Sequence, residues 1–103
     1  NNLPSVISFR SIPYERFPKF INYFVKKKSV TKAFNLLNIK SIKRSKTLIN
    51  AEISDKIKSN LLNINVGEAL LKTTSVNIDS KKNPIELSES FFIGSKIQFF
   101  IKN

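Results

Sequence analysis

The 103-residue chain has no cysteine and no histidine. Together these absences remove disulfides, thiolate nucleophiles, imidazole bases and the ordinary ligands of zinc, haem and iron–sulfur clusters. Acids are scarce too. Glu15, Glu52, Asp55, Glu68, Asp79, Glu86 and Glu89 are scattered without the tight spacing of a calcium loop, so no metal or other cofactor is expected. No apolar run approaches the roughly 20 residues that span a bilayer, and no stretch reads as a linker or low-complexity tract. The apolar share of 41% and charged share of 24% are those of a folded chain, and the length suits one modest core. A single soluble domain without a membrane partner is therefore expected. The chain starts at Asn1 rather than methionine and shows no charged-then-apolar leader, which reads as an excised or processed piece of a longer protein.

What is abundant is positive charge, +11 formally. Lysine and arginine clusters neutralise phosphates, so a stand-alone nucleic-acid binder is one reading. That reading needs cations gathered on one face beside aromatics free to stack, whereas the phenylalanines fall on stripes expected to be buried. Lysine greatly outnumbers arginine and is accompanied by much Asn and Ile, a bias that AT-rich codons impose by themselves. The one compact cluster, Lys26-Lys27-Lys28, falls where a helix should end and where the helix dipole favours cations.

Along the chain, "LPSVISFRSI" alternates with period two, placing Val6, Ser8, Arg10 and Ile12 on one side of a strand. Pro18 suits a first helical turn, and Phe17, Phe20, Ile21 and Phe24 mark the buried stripe of a first helix closing at the lysine run. Ser29 is placed to cap a second helix with Val30, Ala33, Phe34 and Leu37 on one side, and Asn38 is its left-handed terminator. From Lys40 to Ile53 the period returns to two, with Thr47, Ile49, Ala51 and Ile53 aligned. Ser54 or Asp55 then caps a short helix anchored by Ile57, Leu61 and Leu62. A Gly67 turn leads to the strand in "VGEALLKTTSVNID", "SKKNP" makes a hairpin loop, and Pro84 opens a last strand that bends near Gly94 and ends in "IQFFIKN". The order strand, helix, helix, strand, helix, strand, strand, with a tight final hairpin, defines an α+β domain whose helices pack on a largely antiparallel sheet.

Two phrases echo one another. "NLPSVISFRSIPYERF" and "NPIELSESFFIGSKIQFF" each open near a proline, alternate for about eight residues, break at Pro13 or Gly94 and resume at Phe17 or Phe99. The stretches "IPYERFPKF", "SVTKAFNLLNI", "TLINAEISDKIKSNLLNI" and "INVGEALLKTTSVNIDSKKNPIELSESFFIGSKIQFFIKN" resemble, in order and over essentially the whole chain, the UTRA domains of HutC-type regulators in the GntR superfamily. The resemblance implies a chorismate-lyase-like fold in which the two phrases are corresponding strand-turn-strand arms beside a ligand pocket. It also implies a further strand and a winged-helix DNA-binding domain ahead of this segment. A cytoplasmic, homodimeric repressor follows, with a small-molecule effector and with operator DNA met only through that separate domain.

Family pocket residues carry over to altered chemistry. The resemblance places Ser8 and Ser88 where the family has glutamates, and Phe91 and Phe92 where it has tyrosines. Ser88, Ser90 and Phe92 share a face by alternation, as do Ser8 and Arg10. Without the carboxylates that grip sugar hydroxyls, an anionic effector is expected, a phosphorylated sugar or a small carboxylate. Arg10, one of three arginines and mid-strand, is the expected fork for its charge, with Arg44 and Lys72 as further cations next to hydroxyls. The alternative for Arg10 is a side chain reaching solvent from a sheet edge. A lyase-like enzyme is a third reading, but no matched acid–base pair is visible, and no enzyme is expected.

Overall fold

The computed structural model describes residues 4–102. Four strands, β1 (Val6–Ser11), β2 (Lys43–Ile53), β3 (Ala69–Ile78) and β4 (Pro84–Ile93), form one antiparallel sheet in the order β1-β4-β3-β2. Three helices, α1 (Phe20–Lys27), α2 (Val30–Leu36) and α3 (Lys56–Leu62), complete the α+β architecture read from the sequence.

Local chemistry sets the helix boundaries. The Ser29 hydroxyl accepts from the Lys32 amide at 3.3 Å, and Asp55 accepts from the Lys58 amide at 2.9 Å, resolving the choice between Ser54 and Asp55. Lys28 closes α1 in the left-handed conformation at φ 56°, and its amide donates to the Phe24 carbonyl. Lys26 and Lys27 thus sit in the last turn, where the dipole favours them. Asn38 is left-handed as expected, at φ 66°. Pro18, however, precedes α1 and lies in the turn leading to it, after the Phe17 amide has closed onto the Pro13 carbonyl at 3.0 Å.

The chain forms two compact units. One contains Arg10–Lys46 and Ser75–Leu87. Its core is Phe17, Phe20, Ala33, Phe34 and Ile85, with Phe34 fully buried, edge-on to Phe17 at 5.4 Å and tilted against Phe20 at 4.8 Å. Burying each such ring contributes about 1.5–3 kcal/mol, so this cluster is the unit's main source of stability. Ile21 and Phe24 depart from the expected stripe: both are exposed, because only the Phe20 side of α1 meets α2.

The other unit contains the residues up to Phe9, Thr47–Thr74 and the residues from Ser88 onward. Leu62, Leu70, Phe91 and Ile93 are its core, supplemented by Ile7 and Ile64. Of the three residues expected to anchor α3, Leu62 is buried while Ile57 and Leu61 are exposed. The aligned Ile49 and Ile53 of β2, at the end of the sheet order, are exposed as well. Gly94 opens a short 3-10 turn, Gly94–Lys96, and residues 97–102 form no strand, so the resumption expected in "IQFF" is absent there. The Gly94 backbone lies so near Ala69 that a Cβ would stand 2.7 Å from the Ala69 carbonyl oxygen, which is why the bend needs glycine.

Candidate functional site

The Arg10–Lys46 and Ser75–Leu87 unit carries an open-mouthed cavity of about 420 Å³. Ile12, Phe17, Phe20 and Val30 supply apolar walls, and the exposed faces of Ile21 and Phe24 on α1 extend them. Arg10, Ser11 and Tyr14 supply the polar groups. The arrangement follows from the chain's path. β1 stops at Ser11, Pro13 turns the backbone, and Phe17 folds back into the core, leaving the end of β1 facing α1.

Arg10 is held from one side. Its Nη1 donates to Glu86 Oε2 at 3.3 Å, and the other Glu86 oxygen accepts from Asn77 Nδ2 at 2.7 Å. The Glu86 side chain is 3% exposed and that of Arg10 50%, so a buried carboxylate anchors a guanidinium whose remaining N–H groups have no partner among the described residues. Arg10 thus meets an anion of the chain itself and also reaches solvent. Glu86 was the residue overlooked. The same alternation that groups Ser88, Ser90 and Phe92 includes it.

The other expected residues divide between the units. Ser8 and Ser90 are brought together, their hydroxyls 2.8 Å apart, tying the two echoing phrases to each other. Lys72 is bridged by Glu89 at 3.1 Å and Glu52 at 3.3 Å, and its ammonium is held above the ordinary lysine range by the Glu89 hydrogen bond first and Glu52 second. Ser88 and Phe92 are half-buried, with Phe92 edge-on to Phe99 at 5.6 Å. Arg44 lies exposed on β2 and makes no ion pair among the described residues. Within its unit, Lys72 lines a shallower recess of about 350 Å³ with Glu52, Glu89, Asp55, Lys58 and Phe91, where every charged side chain is already paired.

A four-stranded antiparallel sheet carrying three helices, with a largely apolar cavity that Arg10 helps to line, is an α+β domain of the chorismate-lyase-like class. Residues 1–98 match the UTRA domain profile, and the chain belongs to that family of domains found in GntR-type transcription regulators. It is 30% identical over 90 residues to an uncharacterized HTH-type transcriptional regulator of Rhizobium meliloti, covering 87% of this chain and 37% of that protein's length. Its fold is shared with the C-terminal domain of Yurk from Bacillus subtilis, at TM-score 0.86 and 17% identity over 99% of this chain and 70% of that one. The ligand-binding domain of a GntR-family regulator from Bordetella bronchiseptica superposes at TM-score 0.82 and 17% identity, over 100% and 66% of the two chains. The C-terminal domain of the histidine utilization repressor from Pseudomonas syringae gives 0.73 and 16%, over 98% and 70%.

Proposed function

We propose that this chain is the effector-sensing part of a bacterial transcription repressor and that its effector is a small anion with an apolar body. The observation that carries this reading is the half-exposed Arg10, anchored through one nitrogen by buried Glu86, which with Ser11 and Tyr14 lines a largely apolar cavity. The volume lies in the range of about 300–1,000 Å³ typical of small-molecule sites. Arginine presents a planar fork that suits a carboxylate or phosphate, and the aromatic walls favour an apolar body over a polyol. Among the expected anions, a small carboxylate is thus preferred to a phosphorylated sugar.

In this reading the effector acts by binding two conformations with different affinity, and the difference is transmitted to a separate DNA-binding domain that meets the operator. The chain works as a binding module rather than an enzyme, within a cytoplasmic homodimer, as family membership supports. The charge on Lys72 is already met by two carboxylates, so the reading assigns it no part in holding the effector.

The test is a thermal-shift screen of aromatic and aliphatic carboxylates beside phosphorylated sugars, followed by calorimetry. Because Arg10→Ala alone strands Glu86, affinity is compared between Glu86→Gln and the double variant Arg10→Ala/Glu86→Gln. Loss of the charge-assisted bond should weaken binding about tenfold or more. Equal affinity of the two variants for a ligand that stabilises the parent chain would remove Arg10 from the site.

A further inference from the structure

The hairpin joining β3 to β4 is organised by Asp79. Its Oδ1 accepts from the amides of Lys81 and Asn83, each at 2.9 Å, and its Oδ2 accepts from Arg16 Nη2. Arg16 is fixed further by donating to the Pro84 carbonyl at 3.2 Å and by lying 4.8 Å over the Phe17 ring. The one carboxylate here is therefore fully engaged.

Beside it lies a small recess of about 220 Å³, lined by Arg16, Lys40, Lys81, Ser41 and Ser80 and by Asp79 itself. Its lining carries three cations and one carboxylate, the latter paired with Arg16, which leaves an excess of two positive charges. The ammonium groups of Lys40 and Lys81 and the hydroxyls of Ser41 and Ser80 make no hydrogen bond or ion pair among the described residues. Both loops are held by residues in the left-handed conformation, Asn38 at φ 66° and Lys82 at φ 65°. The donors are thus carried on preset backbone, which lowers the ordering cost of binding.

The recess falls below the roughly 300 Å³ at which sites for organic molecules begin, but it has room for a single compact anion. Donors from ammonium and hydroxyl groups, with the one carboxylate already engaged by Arg16 and two amides, suit a ligand that chiefly accepts hydrogen bonds. We propose that this recess binds a tetrahedral oxyanion, either free inorganic phosphate or the head group of a phosphate monoester, at a site separate from the Arg10 cavity.

The experiment titrates the ¹⁵N-labelled chain with inorganic phosphate and, separately, with methyl phosphate, at constant ionic strength against sodium chloride. Saturable shifts should centre on the amides of residues 38–41 and 79–83. Lys40→Ala/Lys81→Ala should weaken them about tenfold or more, and Ser80→Glu, which places a carboxylate in the recess without removing a cation, should do likewise. Methyl phosphate matching or exceeding phosphate identifies a head-group site, whereas a response to phosphate alone identifies a free-ion site, and both uphold the proposal. Shifts that never saturate, or that chloride reproduces, would overturn it in favour of diffuse attraction to the basic surface. Unchanged phosphate affinity in the Ser80→Glu variant would also overturn it. So would a DNA duplex that moves the same amides at far lower concentration than either phosphate, since the recess would then belong to a nucleic-acid surface.

Discussion

Arg10 and Glu86 are unequal partners: 3.3 Å separates them, yet one side chain is half-exposed and the other almost wholly buried. Arg10→Ala should therefore cost more than the pair is worth, because it leaves the Glu86 carboxylate buried with Asn77 as its one remaining partner. A loss of about 1–3 kcal/mol is expected. Glu86→Gln, which keeps the shape and removes the charge, should cost less, and the double variant should be more stable than Arg10→Ala alone. Denaturant midpoints of the four proteins give the coupling directly; strict additivity would show that the pair does not interact in solution.

Asp79 sets an acid limit on the hairpin. The hydrogen bond from Arg16, followed by those from the Asn83 and Lys81 amides, holds its carboxyl below the ordinary value of 3.8. A depressed folded pKa contributes stability that is fully present above the unfolded value and is lost as pH falls through the folded one. Stability should accordingly be insensitive to Asp79 near neutrality and decline from about pH 4 downward. Asp55 is shifted in the same direction, chiefly by the Lys58 amide, so Asp79→Asn should shrink the acid-side decline without abolishing it. Urea midpoints from pH 7 to 2.5 for the parent and Asp79→Asn test this; parallel curves would refute the role given to Asp79.

The two glycines predict different penalties. At Gly94 an added Cβ meets the backbone of Ala69, a neighbour that cannot rotate away, and Gly94→Ala should cost about 1–3 kcal/mol. Gly67 has open space around the same position but sits at φ +94°, so Gly67→Ala should cost only about 1 kcal/mol through backbone strain. Thermal melts of the two variants rank them, and a smaller loss at Gly94 would mean that β4 and the start of β3 separate more easily than their packing implies.

Features fixed by a few neighbouring residues were legible in the sequence. Ser29, Asn38, Asp55 and the lysine run each act within one helical turn, and the structure finds each at the expected place. Features fixed by how far a neighbouring element reaches were not. Ile21, Phe24, Ile57, Leu61, Ile49 and Ile53 all obey the period of a buried face, yet all are exposed, because periodicity names the apolar side without saying what covers it. Glu86 was hidden for a related reason. A glutamate on a strand reads as solvent-facing until its partners, Arg10 and Asn77, are brought from 76 and 9 residues away. The Ser8–Ser90 contact, across 82 residues, required the sheet order itself.

The outer strand β2 has one further effect, on behaviour in a crowded solution. It ends the sheet order, and Leu48, Ile49 and Ile53 stand exposed on it. The end strand of a sheet is a place where another chain can add a strand. Lys43, Arg44 and Lys46 at the beginning of β2 oppose that addition by a second copy, since two such strands brought together would repel. The guard is electrostatic and weakens as the Debye length shrinks from about 10 Å at 0.1 M salt to 3 Å at 1 M. The basic start of β2 thus doubles as colloidal protection, and concentrated salt is the condition under which that protection is weakest.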